Sequence, residues 1–267
     1  MTTAERLTQL KQDIDDVYSV AYEKGKSEGG DTEGAYNEGY NKAYDELWDG
    51  IQLGGTRTNY GGLFNGVYWN EISFRPKYDI IAKASGSTMF DRFGGMANTT
   101  DKGIDLAKIF EDCGVELDTS KCTAINNLFY YARVSRVPTI SAVGCTYVLT
   151  GVFAQCRHLE TIDKFVLKDD GSNTFNNTFQ QCIELKNIVI DGTIGQNGFN
   201  VQWSTKLSKD SITSIINALS STTSGLTVTL SETAVNNMTF PFTYKDVTYN
   251  SWEELIATKS NWTISLV

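Results

Sequence analysis

Leu128-Phe129-Tyr130-Tyr131-Ala132, Val152-Phe153-Ala154-Gln155-Cys156 and Thr178-Phe179-Gln180-Gln181-Cys182 repeat one pattern, and Ile109-Phe110-Glu111-Asp112-Cys113 matches it. Each has an apolar residue or Thr, a Phe, two variable residues, and a small Cys or Ala. The Phe residues are 19, 24 and 26 positions apart, and Met89-Phe90 stands 20 positions earlier as a degenerate first copy. A recurrence at 20 to 50 residues marks supersecondary units that bury their apolar faces against one another. After the small residue, Leu159, Ile162 and Phe165, then Leu185, Ile188 and Ile190, and in the earlier copy Val134, Val137 and Ile140, describe one short strand per unit. A second phase lies upstream: Ser120-Lys121-Cys122-Thr123 and Val143-Gly144-Cys145-Thr146 precede Phe129 and Phe153 at nearly constant distance.

Working outward, LDTSKCTAINNLFYYA (117–132), VFAQCRHLETI (152–162) and TFQQCIELKNIVI (178–190) resemble the BspA-type leucine-rich repeat proteins, as does the tail, LSKDSITSIINALSS (207–221), LTVTLS (226–231) and SWEELIATKSNWTISLV (251–267). The variety it is most similar to occurs in phage virion and gut-bacterial surface proteins. That resemblance implies an α+β repeat solenoid, leucine-rich-repeat-like with a short parallel sheet, and a C-terminal α/β cap; the N-terminal helical stalk expected ahead of them lies outside the resemblance and is read from its own residues. The expected divisions are an acidic helical stalk or anchor at 1–50, connecting loops and short strands at 51–84, the solenoid at 85–200 and the capping module at 201–267.

The tail reads the same way from its residues alone. Ser208 suits an N-cap, Ile212, Ile215, Ile216 and Leu219 form one helical face, and Ser220 to Gly225 is a stop signal. Ser251 caps a second short helix from Trp252, with Glu253 and Glu254 in the first turn where carboxylates suit the dipole. Trp262, Ile264 and Leu266 alternate, which predicts a terminal strand.

The opening segment differs in kind. Residues 1–50 hold twelve acids and five bases, so they carry −7 of the chain's −9. Leu7, Leu10, Ile14 and Val17, with Ala21, are spaced 3, 4, 3, 4, which is a short coiled-coil seam or the face of an amphipathic helix lying on its own domain. Gly25, Gly29, Gly30 and Gly34 make a hinge or a frayed helix. Tyr36, Tyr40, Tyr44 and Trp48 then return as an aromatic ridge at successive i+4 positions.

Composition removes several classes of function. At 267 residues with 40% hydrophobic and 21% charged residues, the chain has enough apolar content for a packed core. No run approaches the roughly 20 apolar residues of a spanning helix, so membrane insertion is not expected. An acidic chain is a poor phosphate-backbone binder, and nucleic acid is not expected as a partner. The N-terminus lacks the basic and apolar regions of a secretory signal, an expectation that favours a particle component released by lysis over an exported adhesin.

Chemistry-bearing motifs are sparse. The five Cys form no C-x-x-C pair and sit at repeat-fixed positions, which reads as a ladder of buried small hydrophobes, with neither disulfides nor zinc. The sole His158 has no nucleophile motif beside it. Asp169-Asp170 lack the alternating ligands of a calcium loop. No cofactor is expected.

The reading is therefore a non-enzymatic phage structural protein, tail- or head-associated and fibre-like, located on the virion. It anchors to other virion proteins through 1–50 and as a homo-oligomer, with Leu7, Leu10, Ile14 and Val17 as the anchor. The repeat body displays a contact face of Arg133, Arg136, Glu160, Asp163, Lys164, Lys186, Asn187 and Asp191 toward a host cell-surface protein or glycan. A bacterial cell-surface adhesin is one alternative. A virion-associated carbohydrate-active enzyme is the other, because glycosidase carboxylate pairs are set by folding and not by spacing.

Overall fold

Phenylalanine rings stacked face to face run through the centre of the protein. The computed structural model describes residues 63–66, 74–77, 79–82, 84–95 and 102–267, together with Gln9, Gln12 and Asp16, which are helical and exposed. Phe64, Phe90, Phe129, Phe153 and Phe179 are all fully buried. Successive centroids lie 5.1, 5.2, 5.8 and 5.5 Å apart, with interplanar angles of 26°, 13°, 6° and 14°. Stacking at this separation adds about 0.5–1.5 kcal/mol per pair beyond the area buried. The backbone keeps the rings in register. The N–H groups of Phe64, Phe90, Phe129 and Phe153 donate to the carbonyls of Met89, Leu128, Val152 and Thr178, each the residue just before the next ring. Two positions after the ring, Gly66, Arg92, Tyr131, Gln155 and Gln181 all take positive φ, which gives every tight turn the same shape.

Strands flank the column. β1 (Ile80–Ile81) pairs in parallel with β3 (Leu117–Asp118). β2 (Ile104–Asp105), β4 (Val134–Val137), β5 (Ile140–Ser141), β7 (Thr161–Val166) and β9 (Asn187–Asp191) form a five-stranded parallel sheet. β4 and β5 lie along one edge of β7, separated by Pro138, and β9 lies along the other. β6 (Leu149–Thr150) and β8 (Phe175–Asn176) form a separate parallel pair. Inward residues of β7 and β9, Ile162, Phe165, Ile188 and Ile190, are buried, and Phe165 meets Phe153 and Phe179 edge-on.

Four helices occur among the described residues: α1 (Leu106–Cys113), α2 (Lys209–Ala218), α3 (Glu232–Asn236) and α4 (Trp252–Ala257). The cap side chains of Asp105, Ser208, Ser231 and Ser251 accept from the N–H three residues on. β10 (Leu226–Leu230) pairs in parallel with β13 (Trp262–Leu266), and β11 (Phe242–Tyr244) with β12 (Val247–Tyr249) makes an antiparallel hairpin. α2 lies along the free edge of β9. Its Ser211 and Ser214 hydroxyls accept the Ile188 and Ile190 N–H groups, both at 2.9 Å, so a helix satisfies donors that a further strand would otherwise take.

Two expectations are corrected here. Among the described residues the architecture is a mixed α/β arrangement, four short helices with a five-stranded parallel sheet and separate two-stranded pairs, and not the expected leucine-rich-repeat-like solenoid. Among the described residues the pairing is broken into five sheets, and from residue 102 on the helices are confined to α1 and to the region after residue 208, so strands and helices follow no uniform unit. Secondly, Ile109 to Cys113 is no copy of the pattern: it is the body of α1, and Phe110 packs edge-on to Phe74, outside the column. Phe64 and Phe90 fill the places before Phe129, and α1 lies in the longer interval between Phe90 and Phe129. The periodicity misled because a helical face and a turn both space Phe and Cys three apart. The expected stalk, with Leu7, Leu10, Ile14 and Val17, and the aromatic ridge at Tyr36 to Trp48 lie outside the described residues. No helix among the described residues is long and apolar enough to cross a membrane.

Candidate functional site

The outward face of β4, β7 and β9 carries the expected contact residues. Burial of Val134, Val137, Ile162, Phe165, Ile188 and Ile190 against the column leaves Arg136, Asp163, Lys164, Asn187 and Asp191 outside it, with Asp163 and Lys164 consecutive where the β7–β9 register shifts. Parallel pairing then sets them side by side. Arg136 on β4 donates through Nε to Oδ1 of Asp163 on β7 at 2.6 Å and through Nη2 to Oδ2 at 2.9 Å. It also reaches Glu111 of α1 at 2.8 Å. Lys164 on β7 meets Asp191 on β9 at 3.2 Å, and Lys186 meets Glu160 at 2.8 Å just ahead of both strands. Six of the eight residues are thus each other's partners, in rungs across the sheet. The two carboxylates hold the Arg136 guanidinium charged, pushing its pKa well up, with the hydrogen bond to Asp163 the largest cause. Arg133 is half-buried just ahead of β4, and Asn187 is exposed with its Nδ2 donating to Thr161 at 3.4 Å.

Two grooves border this face, and Asp163 lines both. One, of about 560 Å³, runs beside α1 and is lined by Phe110, Glu111, Glu116, Asp118 and Pro138. The other, of about 520 Å³, lies between β9, the N-terminus of α2 and the hairpin, with Asn187, Val189, Ser208, Asp210 and Tyr244 on its walls. Sequence reasoning missed Glu111, which it took as a variable position in a repeat, and Asp210 and Tyr244. The alternation of Phe242, Tyr244, Val247 and Tyr249 signals a hairpin. Its turn residues, Lys245 and Asp246, hold positive φ without the glycine that usually marks such a turn.

No match was found. Protein-family models, curated proteins and solved structures all lack a counterpart of this chain at a significant level.

Cys122, Cys145, Cys156 and Cys182 are buried free thiols, and Cys156 and Cys182 donate to the carbonyls of Phe129 and Phe153, one turn earlier in the column. Ser204 takes the next place and donates to Cys182. Cys113, on α1, stands apart and is half-buried. Asp170 accepts from Ser172 N–H, and Asn173 accepts from Lys168 N–H and donates to Ala142, so the KDDGSNT loop is closed by its own side chains. No group of three or more His, Cys, Asp or Glu able to hold a metal occurs among the described residues. His158 is half-buried, with its Cβ against the space beside Gly103.

Proposed function

We propose that the chain is a non-enzymatic structural protein of a phage particle, fibre-like and tail- or head-associated. It attaches to other virion proteins through residues 1–50, as a homo-oligomer, and displays the β4, β7 and β9 face toward a host-cell surface or mucosal material. The observation that supports display is the face itself. Its charges are locked in cross-strand pairs, so they form a rigid polar surface in which few long side chains lose freedom when a partner arrives. Rigid elements hold a binding site more precisely than loops do. Placement on a particle rests on the likeness of 117–132, 152–162 and 178–190 to BspA-type proteins and, more specifically, on that of the tail, 207–221, 226–231 and 251–267, to members from virions and gut-bacterial surfaces.

Antibody against the folded body tests this reading by electron microscopy of purified particles. Regular labelling at one position is expected. Particles that carry no label, or a purified chain that lowers the viscosity of a host polysaccharide on incubation, overturn it.

A further inference from the structure

The edge of β9 is covered by the α2 serines, whereas β13 has an open edge. Its ladder to β10 follows from the bonds on either side of it. Thr227 and Thr229 of β10 turn their N–H groups the other way, to the Asn197 side chain at 2.8 Å and the Phe199 carbonyl at 3.1 Å. Leu226, Val228 and Leu230 are therefore the β10 residues whose backbone faces β13, and the Val267 N–H donates to the Leu230 carbonyl at 3.1 Å. Backbone groups of a strand point to alternate sides, so Thr263, Ser265 and Val267 carry the bonds to β10. Ile264 and Leu266 point their N–H and C=O groups away from it. The Trp262 carbonyl points the same way, while the Trp262 N–H is spent on the Lys259 carbonyl at 2.9 Å. No strand pairs on that side among the described residues.

Open edges are ordinarily guarded by a charge, a proline or a bulge, and Trp262-Thr263-Ile264-Ser265-Leu266 has none of these. Beside the strand lies a groove of about 370 Å³ whose walls include Ile256, Ala257, Trp262 and Ile264. Ile264 is half-buried and Leu266 is 37% exposed, although their register partners Val228 and Leu230 are buried. A two-stranded sheet is marginal by itself. A further strand would complete both the ladder and the apolar cover.

We infer that two copies of this chain join through β13, antiparallel about a two-fold axis at Ile264, making one continuous sheet of β10, β13 and their counterparts. Ile264 then faces its own copy, and the two exchange both N–H···O bonds. Leu266 faces Trp262 of the second copy, so the free Leu266 N–H meets the free Trp262 carbonyl and the spent Trp262 N–H is not called on. The Leu266 side chain seats beside that Trp262, over the apolar groove. Centred on Ser265 instead, the pairing would leave the Trp262 carbonyl and the groove uncovered. Charge does not oppose the approach. β13 holds no ionised side chain, the two charged residues of the groove, Glu253 and Lys259, are of opposite sign, and residues 51–267 carry only −2. This contact is additional to association through residues 1–50, and it does not depend on where the chain resides.

Sedimentation equilibrium of the full chain carrying Leu10→Asp and Ile14→Asp, which removes association through the opening segment, reads this contact alone. A reversible dimer is expected. Thr263→Lys with Ser265→Lys sets like charges opposite one another across the two-fold axis and weakens it tenfold or more, equivalent to about 1.4 kcal/mol. Thr263→Val with Ser265→Val keeps it. Thr263 and Ser265 of the two copies face each other as a non-hydrogen-bonded pair, with Cα atoms about 4.5 Å apart. Thr263→Cys with Ser265→Cys therefore forms an inter-chain disulfide on oxidation, and neither single variant does. Amide exchange at Ile264 and Leu266 slows as concentration rises. Circular dichroism melts establish that the variants are folded. A chain that stays monomeric, a dimer that the lysine pair leaves unchanged, cross-linking by a single cysteine variant as readily as by the double one, or protection at Ile264 that is independent of concentration overturns the inference. Labelled particles with a chain that stays monomeric uphold the display reading and overturn this contact; a β13 dimer in a chain that particles lack does the reverse.

Discussion

At the residue scale, one ring per turn controls stability. Phe153 touches Phe129 and Phe179 face-on and Phe165 edge-on, and it is wholly buried. Truncating Phe153 or Phe179 to Ala should cost about 3–5 kcal/mol, because a large buried aromatic leaves a cavity that packed neighbours cannot fill. Urea denaturation checks this through the transition midpoint, and an unchanged midpoint would refute the column's role. The thiols give a pH prediction. Burial pushes Cys122 up to about 11 and Cys145 and Cys182 up to about 12, and it raises Cys156 as well. An unfolded thiol ionises near 8.5. The unfolded chain therefore releases these protons first as pH rises, so this contribution to stability is intact below about pH 8 and declines from there toward pH 12. Denaturation midpoints at pH 7.5 and pH 10 measure the loss. Replacing Cys145, Cys156 and Cys182 with Ala should flatten that pH dependence. The column was legible at Phe129, Phe153 and Phe179 because the spacing of Phe from its small partner is a packing distance. Phe64 was not, since its turn closes on Gly66 and carries no Cys or Ala mark.

At the element scale, the decisive device is a helix completing a sheet. Ser214 is 4% exposed, and its hydroxyl accepts the buried Ile190 N–H and lies 3.5 Å from the Ile190 carbonyl. Ser214→Ala leaves that donor without a partner and should cost about 1–3 kcal/mol, far more than the roughly 0.5 kcal/mol of an ordinary surface change. Amide hydrogen exchange at Ile190 would show it directly, by faster exchange there with little change at Ile162 on the middle strand. The sequence makes α2 readable from Ser208 and the isoleucine face, and α4 and β13 from Ser251 and the Trp262 alternation. It does not reveal that serines on the other positions of α2 face the β9 edge, because a serine at a helix surface usually faces water. The contact face was readable as the polar residues left once the inward apolar positions of each strand, such as Leu185, Ile188 and Ile190, are assigned. Its pairing was not, since a rung such as Arg136 with Asp163 joins positions 27 apart and follows only from the parallel register.

At the scale of the whole molecule, charge is divided unevenly: residues 1–50 carry −7, the other 217 only −2. If the opening segment associates with itself, like charges oppose the contact and salt screens them, so association tightens as ionic strength rises; docking to a basic socket would weaken instead. Leu10→Asp with Ile14→Asp is expected to abolish incorporation into particles without lowering the melting temperature of the body. Light scattering across a salt series and incorporation assays decide it: unchanged assembly refutes the anchor role, and so does a body that melts earlier. The sequence shows this division by composition alone. α1 has a further consequence. It occupies the long interval between Phe90 and Phe129, yet those two rings stack at 5.2 Å, as closely as rings joined by shorter links. Doubling the length of a flexible loop adds only about 0.6 kcal/mol of closure entropy, so the links between turns are the places where this chain can acquire new material cheaply. A foreign epitope spliced into such a link, for instance at the exposed Asp169-Asp170 corner, should be carried on the surface without displacing any ring, which makes the protein a scaffold for presenting peptides.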